Sequence, residues 1–264
     1  MYSSSYEDIL LEEKARVLVN YAHPKQSLLG RVIPKGFTSV LIDSGVFQLQ
    51  KGLATEHELN VSGYSGWLQM ELPKHPEVDG YFAFDWGGQR NTLHDKENRL
   101  RYNYQYMLNQ GLNPIPVWHP MWEGMSQLDF YARKSDYIAL GGFASLGIWK
   151  TLVPLLTRSI SLYPDHKFHL LGAGHPLLNS VSIDYAPYSI DVSTWSVAAR
   201  FGNLLRIRDG KILELSATPK GVRNEDFLGS QNPLLREELR NAIKLLMSIE
   251  SAELGPRDIQ PLLF

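Results

Sequence analysis

Between Arg16 and Asp191, short runs rich in apolar, β-branched and aromatic residues alternate with longer amphipathic stretches, and this rhythm constrains the fold more than any other feature. The runs are Arg16 to Tyr21, Ser39 to Ile42, Gly80 to Phe84, Pro114 to Trp118, Tyr137 to Leu140, Phe168 to Leu171 and Tyr188 to Ile190. Helix-like segments fall among them at Asn91 to Gln110, Met125 to Lys134 and Ile148 to Leu162. Strands that alternate with helices are parallel, because a helical crossover returns the chain to the same end of the sheet. Continuous apolar runs such as Tyr137-Ile138-Ala139-Leu140 fit strands covered on both faces. The expected fold is therefore α/β, a (β/α)8 TIM barrel, with residues 1–264 forming a single domain.

Two segments depart from the rhythm. Gly202 to Leu215 carries Asp209-Gly210 between apolar residues, a β-hairpin signal expected to insert after the seventh strand. From Pro233 to Glu250, Leu239, Ile243, Leu246 and Met247 fall on one face of an expected C-terminal helix, with proline in its first turn.

Composition removes several function classes. The chain has no cysteine, so disulfides, a thiol nucleophile and thiolate zinc sites are all excluded. His119 and His175 have no acidic or histidine partner at ligand spacing, so no metal and no cofactor are expected. A net charge of -2 supplies no global field for a polyanion, and any nucleic-acid contact has to be local. No basic and apolar leader opens the sequence, and no apolar run approaches the roughly 18 residues that span a bilayer. A cytoplasmic protein without membrane contact is expected, in the host cytoplasm if it is phage-encoded.

In a parallel barrel the chemistry collects where strands end. Here the strand ends read Asp43-Ser44-Gly45, then Asp85, Trp118-His119, Gly141-Gly142-Phe143, Gly172-Ala173-Gly174-His175 and finally Asp191. Three carboxylates thus belong to one rim. Each also has a structural reading, since a strand-end aspartate caps helices and Asp with Gly forms turns. Arg200, Arg206, Arg208 and Lys211, with Lys220 and Arg223, follow Asp191 as a basic cluster. They suit either flanking phosphates or a solvated hairpin surface.

The order of these strand ends resembles the tRNA-guanine transglycosylase superfamily. Asp43-Ser44-Gly45-Val46-Phe47-Gln48 is similar to its Asp-Ser-Gly-Gly-Phe-Gln, and Phe84-Asp85 to its Phe-Asp. Leu140-Gly141-Gly142-Phe143 is similar to its Ile-Gly-Gly-Leu, and Leu171-Gly172-Ala173-Gly174 to its Met-Gly-Val-Gly. Asp191 follows Gly174 by seventeen residues, an interval like that to the family's nucleophilic aspartate, whereas Asp184 follows by only ten. Departures are equally plain. The Cys-x-Cys-x-x-Cys zinc module is lacking, Ile190-Asp191-Val192-Ser193-Thr194-Trp195 replaces the nucleophile context, and Trp118-His119-Pro120 stands near the base-reading Gln-Gly-Gly. This combination looks more like the compact phage-type branch that inserts 7-deazaguanines into DNA.

The resemblance implies a base exchange through a covalent glycosyl-aspartate, with Asp191 as nucleophile and Asp43 as the acid and base at N9. It implies a purine stacked between Phe47 and Leu171, with Asp85 accepting from N1–H and the 2-amino group. Ser44 and the Gly141 and Gly142 backbone would complete that pocket, with His119 at its edge. The implied partners are DNA, with tRNA as the alternative, and a free 7-deazaguanine base such as 7-cyano-7-deazaguanine; a homodimer is compatible with it. Two further readings use the same pocket: a deazaguanine nucleoside hydrolase, and a silent barrel that only binds a partner.

Overall fold

The computed structural model describes residues 7–22, 36–50, 52–85, 93–142, 149–172, 187–192, 203–208 and 211–216, the positions 233, 236, 237, 239–241, 243 and 244, and residues 260–263. It is a mixed α/β structure with parallel sheets. Contacts divide the chain into two bodies, one comprising 17–142 and 163–168, the other 1–16, 143–162 and 169–264.

In the first body, β1 (Val17–Asn20) pairs in parallel with β2 (Val40–Asp43), which pairs in parallel with β3 (Val78–Tyr81). A parallel bridge between Phe82 and Ile115 carries the order on toward β4 (Val117–Trp118), and β4 pairs in parallel with β5 (Tyr137–Leu140). Five strands therefore stand side by side in chain order. Val17, Val40, Ile42, Phe82, Ile138 and Leu140 are almost wholly buried. Each such side chain contributes about 1.5–3 kcal/mol, which fixes the register against a one-residue slip.

Helices α1 (Glu7–Glu12), α2 (Val46–Gln50), α3 (Val61–Glu71), α4 (Leu93–Asn109), α5 (Met125–Ala132) and α6 (Trp149–Leu162) punctuate the strands. Three of them, α4, α5 and α6, agree with the sequence reading to within two residues at each end. The sequence reading does not contain α3, whose Gly63, Gly66 and two serines have poor helix propensity. Its start is instead held by Asn60, whose side chain accepts the Gly63 N–H at 2.9 Å. Tyr64, buried on α3, donates its hydroxyl to the Phe82 carbonyl at 3.1 Å and so ties the helix to the end of β3.

In the second body, the end of β6 (Lys167–Leu170) pairs in parallel with β7 (Ser189–Val192), and β7 with β10 (Gln260–Leu263). The sequence reading has no strand at β10, which is short and contains Pro261. The expected hairpin is present, as β8 (Asn203–Arg208) and β9 (Lys211–Ser216) in antiparallel register. Leu239 and Ile243 are helical and fully buried, as their spacing requires, while Leu246 and Met247 lie outside the described residues. Arg236 meets Asp8, Arg240 meets Glu12 and Glu13, and Lys244 meets Glu13, joining this helical segment to α1 and the turn after it. Among the described residues, no helix is long and apolar enough to cross a membrane.

Gly45 is the tightest point of the strand-end architecture. Its φ is +79°, and a Cβ there would lie 2.3 Å from Asn20 Oδ1 and 2.4 Å from Ala22 Cβ. Gly52 shares the positive φ, at +67°, with nothing within 4 Å. Gly52→Ala is expected to cost about 1 kcal/mol of conformational strain alone. Gly45→Ala adds an overpacking cost of about 1–3 kcal/mol. Urea unfolding of the two variants checks this, and equal losses would remove the steric part.

Candidate active site

The β2 strand ends on Asp43, the last residue paired to β1, opposite Asn20. The Asp43 carbonyl accepts the Tyr21 N–H at 2.9 Å, and Asn20 Oδ1 accepts the Ala22 N–H at 2.8 Å. This turn after β1 is what Gly45 packs against, so the Asp43-Ser44-Gly45 corner is closely packed on that side. Burial pushes the Tyr64 hydroxyl well above the usual tyrosine range, and the charge of Asp43 pushes it further. Phe47, the second residue of α2, is 45% exposed, an apolar ring left at the surface beside the corner.

Ser44 is buried and its hydroxyl oxygen lies 3.5 Å from the Asp85 N–H, at the long limit of a hydrogen bond. Two contacts from α4 hold the approach to Asp85: Asn103 donates to the Phe84 carbonyl at 3.2 Å, and the Phe84 N–H meets Met107 Sδ at 3.3 Å. Asp85 itself is partly open, with 21% of its side chain exposed, and its Oδ2 lies 3.0 Å from His119 Nε2. That pair joins the end of β3 to the end of β4.

Behind His119 the network continues inward. Glu123, on the turn after β4, accepts the His119 backbone N–H through Oε2 at 2.7 Å and the Tyr131 hydroxyl through Oε1 at 3.1 Å. Its Oε2 also lies 3.5 Å from His119 Nδ1. Trp122 stacks on the imidazole with ring centroids 4.8 Å apart. Burial alone would pull the His119 imidazole down. The Asp85 and Glu123 carboxylates outweigh it and raise the group to about 10. Burial raises the Glu123 carboxyl, with His119 opposing, and raises the Tyr131 hydroxyl well above its ordinary value.

The glycine after β5 belongs to this network. A Cβ at residue 141 would sit 2.5 Å from His119 Nε2 and 2.9 Å from Val117 Cγ1, so only glycine leaves room for the imidazole that meets Asp85. Gly142 follows with φ +88°. Sequence reasoning gives these two glycines a backbone role toward a base, and the structure adds a steric role toward His119. Glu123 and Tyr131 are missed by it altogether. Glu123 did leave a signal, four residues after His119, an acidic partner at the spacing the sequence reading took to be empty, whereas Tyr131 left only a polar group within an amphipathic run.

In the second body, Asp191 lies within β7 and its Oδ1 accepts the Gly172 N–H at 2.5 Å. His169 Nε2 is 3.6 Å from the same oxygen, and His169 Nδ1 is 2.6 Å from Ser189 Oγ. Leu171, half-buried, separates β6 from Gly172. His169 and Ser189 stand inside expected strands and are not among the site residues of the sequence reading, because a histidine inside a strand looks like an ordinary core residue. Arg206 and Arg208 stand on β8, the latter opposite Lys211 of β9, while Arg200 and Asp184 lie outside the described residues. The site residues thus form two sets: Asp43, Ser44, Phe47, Asp85, His119, Gly141 and Gly142 in one body, Leu171 and Asp191 in the other.

Among the described residues, no group of three or more His, Cys, Asp or Glu side chains is arranged to hold a metal ion. No protein-family model matches the chain, and no curated protein matches it in sequence.

The raised imidazole gives a pH signature. A histidine protonated more readily when folded contributes stability that is full below its unfolded value of about 6.5 and is lost as pH rises through the folded value. Stability is therefore expected to decline between pH about 6.5 and about 10. His119→Gln should flatten that decline, as read by urea midpoints at several pH values; an equally steep decline in the variant would remove His119 as its source.

Proposed function

We propose that this chain is a base-exchanging guanine transglycosylase that replaces guanine in DNA with a free 7-deazaguanine base through a covalent intermediate on Asp191. The observation that carries the reading is Asp191 itself, a partly open carboxylate at a parallel strand anchored through one oxygen by a backbone N–H. A nucleophile held by Oδ1 presents Oδ2 in a fixed direction, which lowers the entropic cost of attack. Five strands in unbroken chain order support the finer expectation of a (β/α)8 barrel, since an open doubly wound sheet reverses its order.

In the first step Asp191 attacks C1′ and guanine leaves, its N9 protonated by Asp43. In the second, Asp43 takes the N9 proton of the incoming base, which displaces the aspartyl ester. Asp85 suits a guanine edge: His119 engages its Oδ2, and a carboxylate accepts from N1–H and the 2-amino group. Phe47 and Leu171 are the stacking candidates. Because C1′ is shielded inside a duplex, the target nucleotide has to be flipped out or single-stranded. Arg206, Arg208 and Lys211, with Arg200 before them, are assigned to flanking phosphates.

The deciding experiment supplies labelled guanine or 7-deazaguanine with duplex DNA, single-stranded DNA or tRNA and counts label in polymer. Label is expected in DNA, and Asp191→Ala is expected to abolish it without loss of fold. Full activity in that variant removes the assignment, and label in tRNA alone moves the target to RNA. Asp85→Asn should retain exchange but lose about tenfold to several hundredfold of the preference for guanine over hypoxanthine, the equivalent of about 1–3 kcal/mol for an unpaired buried polar group. An unchanged preference would shift base reading to His119.

A further inference from the structure

The surroundings of Asp191 are asymmetric, and the asymmetry separates the two steps of the exchange. Gly172 N–H lies 2.5 Å from Oδ1, and His169 Nε2 lies 3.6 Å from that same oxygen. Gly172 has φ +68°, so the turn that aims its N–H at Asp191 favours glycine. His169 is fully buried, and its backbone is in register with Ser189 across the β6 and β7 pair. The Ser189 hydroxyl, also buried, stands 2.6 Å from Nδ1. Its hydroxyl hydrogen can donate to Nδ1, which leaves the ring proton on Nε2, facing the carboxylate.

We propose that His169, oriented by Ser189, is a positioning residue that closes from 3.6 Å onto Asp191 Oδ1, which the Gly172 N–H already bonds, leaving Oδ2 to bond C1′ and easing release of the carboxylate when the incoming base resolves the ester. This inference rests on the transglycosylase reading. In the first step an Oδ2 lone pair forms the bond to C1′ while the C1′–N9 bond breaks, its electron pair leaving on N9 with a proton from Asp43. In the second, N9 of the incoming base, having given its proton to Asp43, forms the bond to C1′. The C1′–Oδ2 bond breaks and its pair returns to Asp191. Donors on Oδ1 stabilise the carboxylate more than the neutral ester. They therefore slow the first step slightly and speed the second.

The test follows the covalent species. Protein is mixed with end-labelled DNA, the DNA-linked fraction is measured on denaturing gels, and excess 7-deazaguanine is added to measure its decay. His169→Leu is expected to slow decay roughly tenfold or more and to raise the DNA-linked fraction, lowering kcat and the KM for DNA together while kcat/KM for DNA stays nearly unchanged. His169→Gln, which retains an N–H donor, should recover part of the rate. Ser189→Ala should slow decay less than His169→Leu, and it serves alone if the histidine variants do not fold. A merely structural role would scale the amount of active protein and leave the decay rate of the adduct unchanged. Wild-type decay rates in every folded variant overturn the inference and leave the proposed function standing. Absence of any DNA-linked wild-type protein overturns both.

Discussion

A charged or polar group can be buried at a strand end only if a partner faces it, and the site described here follows from that requirement. His119 at the end of β4 faces Asp85 from the end of β3, and His169 of β6 faces Asp191 of β7. Parallel pairing makes both arrangements cheap in chain entropy. The backbone ladder itself brings residues at the ends of neighbouring strands together, to 3.0 Å for His119 and Asp85 and to 3.6 Å for His169 and Asp191. The carboxylates are each partly open, 21% for Asp85 and 12% for Asp191, while the imidazoles behind them are buried. The carboxylates thus keep some contact with solvent and the imidazoles beside them do not.

The supports have a price in side-chain volume. Gly141 is bare because His119 occupies the place of its Cβ, and Gly45 is bare because the Asn20 turn does the same. Behind His119, Glu123 and Tyr131 satisfy one another, so a buried carboxylate is accommodated by hydrogen bonds instead of solvent. The network runs from a partly exposed carboxylate to the packed aromatic layer of Tyr131 and Tyr104, whose rings meet edge to face at 5.3 Å. A change at Glu123 would therefore reach Asp85 through His119.

Much of the parallel framework was legible in the sequence, because buried strands and amphipathic helices leave different periods. The β5 run from Tyr137 to Leu140 was read to the residue. Asp43 and Asp191 were read as groups just beyond their strands and instead lie within β2 and β7, since a hydrogen-bonded ladder extends past the last apolar residue. Helix α3 was illegible because capping by Asn60 and burial of Tyr64 and Leu68 override weak propensity. The partly open members of the site were visible as polar residues at strand ends. Their buried partners Tyr131, His169 and Ser189 were not, because what identifies them is a neighbour distant in sequence.

The most direct test of the account is to locate the covalent bond. Protein quenched during turnover on DNA, digested and sequenced by tandem mass spectrometry should carry the deoxyribosyl remnant on Asp191. Attachment at Asp43, at Asp184 or at no residue during active exchange would contradict it.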